Sequence, residues 1–310
     1  MHPFRLALLL ASLAIVIAGC RRTPSTEKGA GNPSYATTIF PFRSILEPVS
    51  GKRGTVRHLL PAGSSPHTYD PRPSDARIAA RARVLFYGAA ELDAWGARLA
   101  SGLAVELIGL LPDSMILDLP YLEDSTFGEH NHSPGRDPHF WMDPLTVASL
   151  LPALADTLCD ADPEYCVDYR RNAAVFADRL DVLHDSVRTT LAPLAGRSVL
   201  LSHPFVYYLL DRYGIHVAGI VEEIPGSEPT ARDMQRIVNT VRQTGADAIL
   251  ILPQLPDRAA RAVSETLGIP LIELDPIGGG VRRTTYEDLI LYNVHALRQA
   301  LRKSSLRRDQ

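Results

Sequence analysis

Residues 163–192 read PEYCVDYRRNAAVFADRLDVLHDSVRTTLA. Tyr165, Tyr169, Ala173, Phe176, Leu180, Leu183, Val187 and Leu191 recur every three or four positions, so a helix through this stretch carries one unbroken apolar face. Pro163 suits the first turn of such a helix, and Pro193 and Gly196 end it. At the usual rise per residue the helix would span roughly 45 Å, enough to run the height of two lobes.

The strands are grouped around this helix. Before it, apolar and β-branched runs fall at 34–39, 54–59, 83–87 and 115–119; after it they fall at 198–202, 216–221, 247–252 and 269–274. Helical patterns separate them, and alternation of this kind argues for α/β architecture. The expected fold is therefore two α/β lobes, each with a mostly parallel four-stranded sheet flanked by helices, joined by one long rigid helix. The N-terminal lobe is placed at 34–162, the linking helix at 163–195 and the C-terminal lobe at 196–305. The plainer alternative is an ordinary long surface helix on one domain.

The N-terminus has a different character. Arg5 precedes an uncharged apolar run from Leu6 to Ile17, which is short for a membrane span and fits a signal peptide over residues 1–19. The run ends Ile17-Ala18-Gly19-Cys20, a lipobox-like sequence that makes Cys20 the expected lipidation site and first mature residue. Residues 20–33, polar and rich in Gly, Pro, Ser and Thr, read as a flexible tether. The formal net charge of −3 does not favour a nucleic-acid partner. An exported chain could pair Cys159 with Cys166, but spacing leaves a disulfide and two separate buried thiols equally open.

Open α/β sheets bind ligands at the carboxyl ends of their strands. Four residues stand at such places. His67 lies in PAGSSPHTYDPRPSD, His139 in DPHFWMDP, His203 in VLLSHPF and Asp275 in PLIELDP. Two come from each half of the chain, so facing lobes could bring them together. Taken singly, each is an ordinary loop or cap residue; the joint placement is what points to a metal. Three imidazoles and a carboxylate suit Zn²⁺, whereas Mn²⁺ prefers more oxygen and Cu⁺ more sulfur. Four protein ligands leave no open position for a reacting water, which favours capture over hydrolysis, and no H-E-x-x-H is present. Asp137, Asp143 and Tyr69 are candidates to orient the ligands. Binding needs neutral imidazoles, so affinity should fall as pH drops through about 6.5.

These loops resemble those of the zinc and manganese substrate-binding lipoproteins of bacterial ABC transporters. The likeness covers nearly all of residues 34–303. PAGSSPHTYDPRPSD is similar to that family's first ligand loop and DPHFWMDP to its second; EEIPGSEPTARDM resembles the segment after the third ligand, LDPIGGG the fourth ligand loop and TTYEDLILYNVHAL the closing helix. The resemblance implies His67, His139, His203 and Asp275 as ligands. It also implies zinc over manganese, since manganese members typically carry a carboxylate where His203 stands. Two departures are visible. The glutamate often found just before Pro-Gln is Leu252 here, ahead of Pro253-Gln254. The long His-rich loop of zinc-specific members is reduced to a short one, in which Glu129, His130 and His132 could form an accessory metal-collecting flap or simply be solvated.

The resemblance further implies a non-enzymatic role: an extracytoplasmic, lipid-anchored monomer that carries Zn²⁺ as cargo to an ABC transporter permease. The alternatives are a manganese- or iron-binding member of the same class, a zinc-dependent hydrolase or chelatase, and an added adhesin role.

Overall fold

The structure, a computed structural model, describes residues 34–119, 136–222, 228–280 and 283–308, the last six without their side chains. The first sheet comprises β1 (Ser34–Thr37), β2 (Thr55–His58), β3 (Val84–Tyr87) and β4 (Glu106–Gly109), all parallel, in the order β2-β1-β3-β4. A two-stranded antiparallel ribbon of β5 (Leu117–Asp118) and β6 (Arg136–Asp137) follows. The second sheet comprises β7 (Ser198–Leu201), β8 (His216–Ile220), β9 (Ile249–Ile251) and β10 (Leu271–Glu273), again parallel, in the order β10-β9-β7-β8. Numbered within each half, both sheets have the strand order 2-1-3-4. The chain reverses direction across each sheet beside its first strand, the place where α/β sheets open a crevice for ligands.

The helices are α1 (Phe40–Ser50), α2 (Pro73–Ala79) and α3 (Ala90–Ser101) around the first sheet, then α4 (Pro144–Ala161) and α5 (Cys166–Leu191). Around the second sheet run α6 (Tyr207–Arg212), α7 (Ala231–Thr244) and α8 (Arg258–Leu267), and α9 (Tyr286–Arg308) closes the described chain. Among the described residues, no helix is long and apolar enough to cross a membrane.

The apolar positions read in the sequence along α5 lie against the core: Tyr169, Ala173, Phe176, Leu180, Leu183, Val187 and Leu191 are all buried, with Tyr165 half-buried in the preceding 3₁₀ turn Pro163–Tyr165. That face packs against α1, α4 and α9. One continuous hydrophobic cluster therefore runs from the first sheet through α5 to the second. A smaller cluster covers the far side of the second sheet, where Leu200, Ile249 and Ile251 meet Ile237 and Val241 of α7 and Ala260 and Val263 of α8.

One strand expectation fails. The fourth strand of the first sheet is residues 106–109, not 115–119; the latter stretch supplies only β5 after a 3₁₀ turn at Asp113–Met115. As an edge strand, β4 is half-exposed, with Glu106 and Gly109 at its ends, so it shows no apolar run. Residues 115–119 are apolar for another reason: Ile116 and Leu119 reach into the core from an irregular connection.

Candidate metal centre

His67 belongs to the loop between β2 and α2. The loop is pinned from both sides. Trp95 of α3 donates its indole N–H to Pro66 O at 2.8 Å, and Tyr69, whose ring packs on Trp95, donates its hydroxyl to Asp75 Oδ2 at 2.6 Å. Asp75 also accepts from Arg72 N at 2.7 Å and so closes the turn into α2. His139 stands two residues past the end of β6, and Asp137 accepts from both its main-chain N, at 2.9 Å, and its ring Nδ1, at 2.6 Å. His203 stands two residues past the end of β7. There the ends of β7 and β8 run on side by side, with Glu222 N donating to Ser202 O at 2.9 Å, which sets the Glu222 carbonyl beside the His203 ring.

The three rings converge. His67 Nε2 is 3.2 Å from His139 Nε2 and 3.1 Å from His203 Nε2, and the three candidate ligand atoms all lie within 4.8 Å of one another. His139 and His203 are buried and His67 is half-buried. Each Nδ1 faces an atom that can only accept: Glu91 O at 3.2 Å from His67, Asp137 Oδ1 at 2.6 Å from His139, and Glu222 O at 3.4 Å from His203. In the neutral rings the proton therefore sits on Nδ1, leaving three Nε2 lone pairs aimed at one point. Lone pairs so arranged repel unless a cation lies between them. Around a tetrahedral zinc with Zn–N of about 2.05 Å, ligand nitrogens are about 3.3 Å apart, close to the two separations from His67 Nε2.

Electrostatics act in the same direction. Burial, then the neighbouring His139, lower the His67 pKa to about 3 from an ordinary 6.5. Burial, then His67 and His139, hold His203 well below its ordinary value. Both rings are thus neutral and ready to ligate near neutral pH.

Asp275, the fourth expected ligand, does not belong to this group. Its Oδ1 accepts from Gln254 Nε2 at 2.7 Å and from the backbone N–H groups of Ile277 and Gly278 at 3.2 and 3.0 Å. Its Oδ2 lies 2.8 Å from Arg283 Nε. The glycine-rich loop makes the backbone contacts possible. Gly278 has φ +65°, and a Cβ there would come within 2.8 Å of Leu289 Cδ1. Gln254, two residues after the missing family glutamate, is spent on Asp275 and leaves its own buried Oε1 without a partner among the described residues.

Of the expected orienting residues, only Asp137 touches a histidine of the group. Asp143 caps α4 through Leu145 N and Thr146 N and pairs with Arg212, whereas Tyr69 steadies its own loop. The carbonyls of Glu91 and Glu222 and the side chain of Arg283 went unforeseen. Carbonyls carry no side-chain signal, and an arginine in a loop looks like any solvated one. Cys159 and Cys166 are disulfide-bonded, with Cα atoms 4.5 Å apart. Cys20 and the loop residues Glu129, His130 and His132 lie outside the described residues. Of the other described histidines, His58 packs edge-on to Phe40, His184 stacks on Tyr213, and His216 and His295 are exposed.

The chain resembles known proteins over most of its length. It is 28% identical to the manganese-binding lipoprotein MntA of Halalkalibacterium halodurans over 91% of this chain and 93% of that protein. It is also 28% identical to the high-affinity zinc uptake system protein ZnuA of Paracoccus denitrificans, over 75% of this chain and 80% of that one. Among solved structures, a zinc-bound AdcAII variant of Streptococcus pneumoniae superposes with a TM-score of 0.75 at 23% identity, covering 88% of this chain and 100% of the other. A family profile described as "zinc-uptake complex component A, periplasmic" matches residues 36–300, and the chain belongs to that family.

Proposed function

We propose that the chain captures one Zn²⁺ between His67, His139 and His203, with Asp275 as its fourth ligand, and delivers it to a membrane importer. The observation that carries the reading is the convergence of three Nε2 atoms whose partner nitrogens are all committed elsewhere. As a member of its family the chain is an extracytoplasmic metal-binding component of an ABC importer, working with a permease and an ATPase, and not an enzyme. The metal is cargo. Three imidazoles form a nitrogen-rich donor set that favours zinc over manganese. A manganese reading draws on the naming of MntA, a relative of comparable identity. Lipid anchoring at Cys20, after a signal peptide at 1–19 and ahead of a tether at 20–33, is supported by the sequence Ile17-Ala18-Gly19-Cys20 and by MntA's description as a lipoprotein. The chain is proposed to act as a monomer.

The test is isothermal titration of the metal-free chain with Zn²⁺, then with Mn²⁺ in competition. One tight zinc site is expected. Structural zinc sites draw roughly 10–16 kcal/mol from about four ligands, so losing one should weaken binding by about a hundredfold or more. His203→Ala should show that loss. Unchanged affinity in His203→Ala, or preference for Mn²⁺, overturns the assignment.

A further inference from the structure

Asp275 stands on the loop after β10 and close to the histidine cluster's own scaffold. Trp141, two residues beyond His139, donates its indole N–H to Pro276 O at 2.8 Å. Tyr286 in turn donates to Trp141 O at 2.7 Å. Asn293 of α9 fixes the main chain of Asp275 on both sides, accepting from Asp275 N at 2.7 Å and donating to Asp275 O at 2.8 Å. The backbone is therefore fixed, and what remains adjustable is the carboxylate.

Its two oxygens differ. Oδ1 receives three N–H groups, from Gln254, Ile277 and Gly278, and has no capacity to spare. Among the described residues, Oδ2 has Arg283 as its partner, at 2.8 Å from Nε. Among the described residues that Nε–H makes no directed hydrogen bond, so the contact is an ion pair by proximity. Arg283 is itself held by packing: its guanidinium lies 4.4 Å above the Tyr292 ring, and its side chain is 22% exposed. The structure thus sets a fixed cation against the one carboxylate oxygen that a metal could take.

We infer that Arg283 is a built-in competitor for cargo: it neutralises Asp275 before metal arrives, must yield Oδ2 when the divalent cation binds, and thereby weakens retention and speeds release. The inference rests on the zinc-capture reading above. An incoming divalent cation meets a like charge next to its anionic ligand, and like charges a few ångströms apart in a partly buried site oppose one another strongly. A transport protein that must surrender its cargo gains from such a competitor, whereas one built only for tight storage would lose by it.

The experiment compares the full chain with Arg283→Gln and with Arg283→Met, which keeps an apolar stem over Tyr292 should the first variant fold poorly. Zinc affinity is measured by competition with a chromophoric chelator, and release by stopped flow. The expected result is tighter binding, on the order of tenfold to a hundredfold as for other changes just outside a metal's ligands, with most of the gain in a slower release rate. Arg283→Lys, which keeps the positive charge but not the planar stack on Tyr292, should gain less affinity than Arg283→Gln. In an Asp275→Asn background the Arg283 substitution should change nothing. If the foldable Arg283 variant binds zinc equally or more weakly, Arg283 is a supporting residue and the inference fails while the parent's zinc site stands. If the parent itself binds no zinc, the capture reading fails first.

Discussion

A histidine that must accept a metal at neutral pH has to be neutral there, and the cost of burying its charged form guarantees it. For His67 the folded pKa of about 3 lies below the unfolded value near 6.5, with burial the main cause and His139 the second. Between those values the unfolded chain binds the extra proton. Stability of the metal-free protein therefore rises with pH through this window, is fully gained above about 6.5, and is lost as pH falls toward 3. Replacing His67 with Gln should reduce the slope of unfolding free energy against pH by up to about 1.4 kcal/mol per pH unit, one proton's worth. Urea unfolding in the presence of chelator, from pH 4.5 to 7, would measure it. The comparison must be made against the parent, because buried Asp93 pulls the other way. Burial pushes its carboxyl up to about 6 although Thr38 and two backbone N–H groups bond to it, so its share of stability falls as pH rises from 3.8 to 6. An unchanged slope in His67→Gln would show that His67 is not held neutral by its surroundings. The same lowering moves the share of His67 and His203 in any acid loss of zinc below the pH 6.5 expected from free imidazole.

At the scale of elements, the disulfide shows where sequence reasoning stops. Cys159 lies in the last turn of α4 and Cys166 starts α5, so the bond clips the tight turn between two antiparallel helices that pack along their length. Spacing could not decide the pairing, because whether two cysteines meet depends on how the turn folds. Here Asp162 supplies the reason: it accepts from Arg53 Nε at 3.1 Å and from the Tyr169 hydroxyl at 2.9 Å, bending the chain between the helices. Closing so short a loop removes unfolded-state entropy worth about 2–3 kcal/mol. The Cys159→Ser, Cys166→Ser double variant should lose about that much in urea unfolding while keeping its zinc affinity, since neither sulfur approaches the histidines; a large loss of affinity would mean that the turn reaches the site. Other elements were legible for the opposite reason. His203 and Asp275 each stand two residues past the end of a strand, and the α5 stripe repeats over many turns, so each announces itself locally. What stayed hidden was set by contacts across the fold: β4 as an edge strand without an apolar run, the carbonyls that orient two of the rings, and Arg283 against Asp275.

For the whole molecule the question is whether the two sheets close around cargo by a hinge. The core argues that they do not. α5, 26 residues and about 39 Å long, is buried along one face and packs on α1, α4 and α9, so it cannot flex without breaking a cluster that runs from one sheet to the other. Hydrogen bonds reinforce it. Trp141 reaches Pro276, Tyr286 reaches Trp141, and the Tyr208 hydroxyl both donates to Met115 O and accepts from Leu117 N, each at 3.0 Å, tying α6 to the ribbon strand β5. A wide hinge motion would expose much of this surface, at a cost that one metal ion's differential contacts would have to match. Rearrangement on binding should instead be confined to side chains, chiefly the exchange of Arg283 for metal at Asp275 Oδ2. Small-angle scattering of the metal-free and zinc-saturated chain should then give superposable profiles, and a clear contraction on adding zinc would mean that the α5 spine bends. Communication with a permease would in that case run through overall shape; with superposable profiles it has to run through the loops at the mouth of the site.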